Sequence, residues 1–355
     1  MGSLAEGQSG PPDAMPHKLI VILGAGASHG ARDAPAPPLG KDLLDYLDRY
    51  LHFVERETAV NPSGLPFRED KELSRLRCLL NMAKEHHWTY EQLIDHEVRT
   101  SNPQNENLSL LNLLLVAALS PASASYNLQW LDQAFSAGQD LYDGFLSQLK
   151  ANGFSSKGLT FITLNYDILL EQAIRRTSGA FDYLLPGMPR KRGHLLLKIH
   201  GSINWWGTFD LSRRWLDGRD VPLDIAFEGQ GRRYKNVQVK VDPYEACISA
   251  DAGEPIVAHY VRRKPAYVNA GMLAGIRKKA IAECTAAREA LIIGVHPPVP
   301  PQEDETLWQM FECLSARQVP TRYVGLPPDT DTVAEMWQFQ SLPGTFRDFV
   351  RGELA

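Results

Sequence analysis

The chain has 355 residues, 44% hydrophobic and 22% charged, and a net charge of −5 from 37 basic and 42 acidic side chains. That is an ordinary globular balance, in a chain long enough for two domains or for one large domain with an insertion. It gives no global electrostatic reason to expect nucleic acid, and the local run Arg262-Arg263-Lys264 reads as a solvated loop. The four cysteines, Cys78, Cys247, Cys284 and Cys313, form no CxxC pair, which excludes a zinc ribbon and fits free thiols in a reducing cytosol.

Residues 1–17, "MGSLAEGQSGPPDAMPH", lack the apolar core of a signal peptide and read as a flexible tail. Leu19 to Leu23 are five apolar residues in a row, the pattern of a strand buried on both faces. GAGAS (Gly24 to Ser28) follows, then a loop rich in Pro and Ala. From Lys41 to Lys150 helical stripes dominate: "KDLLDYLDRYLHFVE", "DKELSRLRCLLNMAKEH", "TYEQLIDHEVRT", "LSLLNLLLVAAL" and "GQDLYDGFLSQLKANG". The apolar part of the run from Leu108 is too short to span a bilayer and reads as a buried helix, so no membrane association is expected.

"LTFITLNYDILLEQAIRR" returns to strand then helix, and "HLLLKIHGSINWW" is a further strand with a polar end. "RRYKNVQVKVDPYEACIS" alternates like a hairpin, and "EPIVAHYVRRKPAY" enters a loop. "AGIRKKAIAECTAAREA" is helical, "LIIGVHPPVPPQEDE" strand then loop, "ETLWQMFECLSAR" helix and "PTRYVGL" strand, with "TVAEMWQFQSLPGTFRDFV" a closing helical segment. Strands alternating with helices predict an α/β fold, a Rossmann-like doubly wound parallel sheet. The expected sheet domain comprises residues 18–40 and 151–355, with 206–254 a hairpin-like excursion and 41–150 a large helical insertion.

Four strand ends carry unusual residues. GAGAS allows a backbone to approach a pyrophosphate closely, or simply makes a tight turn; it is not GxGxxG, because Gly30 comes one residue late. In Thr163-Leu164-Asn165-Tyr166-Asp167 a carboxylate and an amide can meet ribose hydroxyls or water, or can cap the helix expected from Ile168. In Lys198-Ile199-His200-Gly201-Ser202 an imidazole stands at a strand end, where a proton acceptor would reach the open edge of a sheet. Gly294 ends the strand Leu291–Ile293, and Glu303 or Asp304 in the loop beyond is placed to bind an adenosine ribose or to lie in a plain β-to-α connection. In an open parallel sheet such ends line one crevice.

Together GAGAS, TLNYD and KIHGS resemble the sirtuin family, in order and over roughly Lys18 to Phe349. The resemblance is to its divergent branch from bacterial anti-phage systems, whose late loop and Gly-Tyr-Ser-x-Pro-x-x-Asp segment are similar to "EPIVAHYVRRKPAY" and "LIIGVHPPVPPQEDETLW". The two cysteine pairs of the deacylase zinc module are missing, Val295-His296-Pro297 replaces Tyr-Ser, and the deacylase Pro-Asp-Phe-Arg pattern is absent. The resemblance therefore implies an NAD hydrolase without metal, cytoplasmic and NAD-depleting. It would release nicotinamide and ADP-ribose and would be switched on by homo-oligomer assembly or by a partner: an ATPase of the translocase type, a short Argonaute or a phage protein. It implies Asn165 and His200 as catalytic residues, Asn165 orienting water or a ribose hydroxyl and His200 accepting its proton. It implies Gly24, Ala25, Gly26, Ala27 and Ser28 at the pyrophosphate, with Thr163, Asp167, Gly201, Ser202, Gly294 and Asp304 also holding the dinucleotide. Two alternatives remain open at this point, a non-enzymatic sensor of NAD or an NAD-derived nucleotide and a sirtuin-type protein deacylase.

Overall fold

The computed structural model describes residues 18–30, 37–60, 66–67, 70–120 except 101–105, 141–156, 158–185, 187–209, 234–240, 243–248, 254–257, 270–299 and 304–354. The expected tail over 1–17, the run Arg262-Arg263-Lys264 and Glu303 lie outside them.

Strand β1 (Leu19–Leu23) is buried at every position and pairs in parallel with β2 (Leu159–Thr163) on one side and β8 (Glu289–Ile293) on the other. A strand enclosed on both faces and both edges has no use for polar side chains, which is why its sequence is an unbroken apolar run. Beyond β2 lie β4 (His194–Lys198) and β3 (Phe181–Asp182); beyond β8 lie β9 (Thr321–Gly325) and β10 (Gln340–Pro343). The order β10-β9-β8-β1-β2-β4-β3 makes a seven-stranded, all-parallel sheet, the Rossmann-like fold expected. The chain winds outward from β1 through β2 to β4, then returns to the far side of β1 as β8. The C-terminal ends of β1, β2, β4 and β8 thus surround the point where winding reverses, the usual place for a ligand in such sheets.

Helix α1 (Ala25–Gly30) follows β1 at once, and α2 (Leu43–Val60), α3 (Asp70–Glu85), α4 (Tyr90–Thr100) and α5 (Glu106–Leu119) build a separate apolar cluster. Helix α6 (Leu141–Ala151), read from sequence with that insertion, instead packs Tyr142, Phe145, Leu146 and Leu149 into the main core, against α7 (Leu169–Thr177) and α12 (Phe346–Arg351).

Two further local readings change. "HLLLKIHGSINWW" is two strands: β4 ends at Lys198 and β5 (Gly201–Phe209) starts a second, antiparallel sheet with β6 (Tyr234–Val239) and β7 (Glu254–Val257). The break requires Gly201, whose φ is +82° and whose absent Cβ makes room for the Ile256 carbonyl. β5 links the two cores, Trp205 lying in the main one and Ile203 and Trp206 in the helical one. The stretch read as a hairpin pairs β6 with β5 and then forms a short helix, α8 (Pro243–Ile248). The closing helical segment likewise contains the edge strand β10, between α11 (Asp329–Trp337) and α12. Helices α9 (Ala270–Thr285) and α10 (Glu305–Ala316) flank β8, and no described helix is long and apolar enough to cross a membrane.

Candidate functional site

Leu23, Thr163 and Ile293 are register partners across β1, β2 and β8, and Thr163 is paired in turn with Lys198 of β4. Asn165 and His200 each stand two residues past that last pair, so parallel geometry puts them at neighbouring strand ends on one edge of the sheet.

Asn165 is tightly held. Its backbone N–H donates to Thr163 Oγ1 (3.1 Å), and its Nδ2 donates to the Gly24 carbonyl (2.9 Å) and to Ser28 Oγ (2.8 Å). A carbonyl oxygen can only accept, so the amide atom facing Gly24 must be the nitrogen. Both Nδ2 hydrogens are then committed, and Oδ1 is the atom Asn165 offers to a hydroxyl or a water. Ser28 Oγ lies 3.2 Å from the hydroxyl of Tyr142, which carries the network on to α6. Thr163 therefore orders Asn165, and the buried Ser28 hydroxyl supports the same side chain.

The glycines of GAGAS face the second glycine turn. Gly24 N–H donates to Ile293 O and Gly26 N–H to Gly294 O, both at 3.0 Å, while Ala27 N–H donates to Gly24 O at 3.0 Å. A Cβ on Gly26 would sit 2.8 Å from Gly294 Cα, and one on Gly294 (φ +61°) would sit 2.7 Å from Gly26 Cα. The close approach that demands these glycines is between two protein backbones. The amides of Gly24 and Gly26 are thus spent on holding the β1 and β8 turns together, and that of Ala27 on closing the GAGAS turn itself. Ala25 is exposed and Gly26 half-buried, so these two positions form the open face of the turn.

Asp167 Oδ1 accepts from Leu169 N–H (3.0 Å), an Asx turn that leads into α7 from the residue before its N-cap, Ile168. Ser202, fully buried, donates to the Tyr166 carbonyl at 3.4 Å. His200 occupies the corner between the two sheets, 2% exposed, with Tyr166 beside it at a ring-centroid distance of 6.5 Å. Its Nε2 lies 2.9 Å from Asp304 Oδ2. Asp304, 1% exposed, uses its other oxygen to accept from Leu307 N–H (3.2 Å) as the N-cap of α10. The residue expected at an adenosine ribose is therefore the partner of the imidazole.

Arg277, on α9, was not legible from sequence. Its Nε donates to the Ile199 carbonyl (3.0 Å), and its Nη2 is buried without a partner among the described residues. Burial lowers its pKa against the opposing pull of Asp304 and Tyr166. A groove of about 480 Å³ near Arg322 and Gln340 lies at the opposite, N-terminal edge of the sheet and takes no part in this constellation.

Residues 159–243 match the family model described as SIR2-like domain. The matched span runs from β2 to the start of α8 and contains both Asn165 and His200; the GAGAS turn and Asp304 lie outside it. Among solved structures, the chain is similar to a crystal structure of a Sir2 homolog–NAD complex at 13% identity and a TM-score of 0.47, over 95% of this chain and 88% of that one. A structure on the mechanism and regulation of Sir2 enzymes gives 11% identity and a TM-score of 0.42, over 95% and 90%. One on the structural basis of sirtuin substrate affinity gives 12% and 0.39, over 95% and 92%. Comparison with curated protein sequences finds no match.

Proposed function

We propose that this strand-end site binds NAD and hydrolyses its nicotinamide–ribose bond, and that the protein is an NAD-depleting effector of anti-phage defence. The observation that carries the reading is the fixed Asn165 amide at the strand end next to His200, inside the matched SIR2-like segment. The glycosidic bond breaks through a ribosyl cation with oxocarbenium character, and water adds to the anomeric carbon as nicotinamide leaves. Asn165 Oδ1 accepts a hydrogen bond from that water, or from a ribose hydroxyl, and orients it. His200 takes the proton that the water loses, a step worth typically 10²–10⁴-fold. Asp304 stabilises the imidazolium that forms. The balance is NAD⁺ and water to nicotinamide, ADP-ribose and one proton.

The dinucleotide phosphates meet the open face of the turn at Ala25, with Gly26 contributing only its bare Cα surface, because the amides of Gly24, Gly26 and Ala27 are already committed. Unrestrained loss of NAD would kill the cell that makes the enzyme, so activity is gated by assembly or by an activating partner. The test is chromatographic: nicotinamide and ADP-ribose formed from NAD by the wild type, beside Asn165→Ala and His200→Ala. Unchanged rates in both folded variants would remove the assignment. Tight NAD binding with no product, even with candidate partners added, would instead favour a sensor.

A further inference from the structure

Lys198 is the last residue of β4, two positions before His200, and it is 0% exposed. A lysine buried this deeply needs a counter-charge and acceptors for its three N–H groups. Its Nζ lies 2.7 Å from Glu171 Oε1 on α7, donates to the carbonyl of Asp167, and reaches the Tyr166 carbonyl at 3.5 Å. Both carbonyls belong to the turn that begins at Asn165. The Tyr166 carbonyl also accepts from Ile203 N–H (3.0 Å) on β5, beyond His200. One ammonium therefore ties the Asn165 turn, helix α7 and the strand leading to His200 into a single unit.

The pair is not arranged for maximum stability. Glu171 Oε1 also accepts from the Tyr183 hydroxyl (3.1 Å), which accepts in turn from Asn204 Nδ2 (3.2 Å). Burial, and after it the Glu171 carboxylate, push the Tyr183 phenol well above its ordinary pKa, so it remains a donor. Glu171 Oε2 and Asn204 Oδ1 are nevertheless buried without partners among the described residues. Well-packed apolar side chains would commonly serve stability at least as well as such an ion pair.

We propose that Lys198 and Glu171 are positioning residues, a buried ion pair that fixes the Asn165 turn against the His200 strand end so that both groups meet the same ribose. Glu171 has a second effect: it cancels the lysine's charge beneath a site where positive charge develops on the substrate. The catalytic half of this inference rests on the proposed NAD hydrolysis; the structural half does not.

The test replaces the pair by Lys198→Met with Glu171→Leu in the full chain, with Lys198→Gln plus Glu171→Gln as a second variant of similar volume that retains a neutral hydrogen-bonded pair. Three quantities are read: melting temperature, hydrogen exchange at the Leu169 and Ile203 amides against those of β1 and β8, and kcat and KM for NAD. The expected result is a wild-type or higher melting temperature and faster exchange at Leu169 and Ile203 only. The kcat should fall by about 10²-fold, the scale of a misplacement near 1 Å, with KM little changed. Wild-type exchange and wild-type kcat in a folded variant would overturn the proposal. If the wild type itself turned over no NAD with any candidate partner, the hydrolase reading would fail, while exchange at the two amides would still decide the structural role.

Discussion

The carboxylate of Asp304 lies 2.9 Å from Nε2 of His200, although 104 positions separate them in the chain. Its other oxygen caps α10 through Leu307 N–H, so the helix terminus sets the rotation of the carboxylate and the carboxylate sets the imidazole. A hydrogen-bonded carboxylate of this kind selects which ring nitrogen carries the proton.

Asp304→Asn separates the two tasks. Asparagine is as good an N-cap as aspartate, so α10 keeps its terminus. The imidazole, however, loses its charged partner and is offered an amide. NAD turnover is expected to fall toward loss of the whole acid–base contribution, about 10²–10⁴-fold, with the melting temperature nearly unchanged. Asp304→Ala removes the cap as well and costs roughly 0.5–2 kcal/mol of stability in addition. Paired kinetics and thermal melts check this; an Asp304→Asn variant with wild-type turnover would detach Asp304 from the chemistry.

Asn165→Asp is nearly isosteric and has an acceptor where the chain needs a donor. A carboxylate oxygen would replace Nδ2 beside the Gly24 carbonyl, now 2.9 Å away, in a position only 9% exposed. Leaving that carbonyl unpaired against an acceptor is expected to cost about 1–3 kcal/mol, read as a shift of the urea midpoint. Full stability would mean that the Asn165 amide does not hold the Gly24 carbonyl, and Oδ1 would then lose its fixed aim.

The parallel sheet was legible because strands enclosed on every side leave an unmixed apolar signature, as in Leu19 to Leu23 and Leu291 to Ile293. β10 was not, since QSLP at a sheet edge carries no such run. The split of β4 from β5 was hidden because Ile199 and His200 continue the strand pattern, and only the positive φ of Gly201 turns the chain. At the site, residue types at strand ends were legible, whereas their partners were not. The pairings of His200 with Asp304, Ser28 with Tyr142 and Arg277 with the Ile199 carbonyl join distant segments, and no local pattern encodes them. Lys198 did leave a signal, a lysine inside "HLLLKIHG" where a buried strand should be apolar.

Gly294→Ala tests whether the glycine turns serve backbone packing. The added Cβ would sit 2.7 Å from Gly26 Cα, and φ is +61°. Gly187→Ala is the control: φ is +77° with nothing within 4 Å of the new atom, so it carries backbone strain alone, about 1–2 kcal/mol. Gly294→Ala is expected to lose clearly more than this control in chemical denaturation, because the β1 and β8 turns must also separate. Equal losses would show that the turns can move apart freely.

His194 gives the fold an acid sensitivity that is separate from the proposed chemistry. It opens β4, is buried against the Phe161 ring at a centroid distance of 5.6 Å, and has Nδ1 without a partner among the described residues. Burial lowers its pKa from the ordinary 6.5 by penalising the charged ring. Well above pH 6.5 the ring is neutral in both folded and unfolded chains, and the shift has no effect. Below it the unfolded chain takes up a proton that the folded one resists, so stability falls as pH drops until the folded-state pKa is reached. The slope in that window is at most about 1.4 kcal/mol per pH unit from this one group. His194→Gln, which cannot titrate, is expected to flatten the curve of unfolding free energy between pH 7.5 and pH 5 by up to that slope. Parallel curves for the variant and the wild type would show that the imidazole is solvated enough to protonate in place.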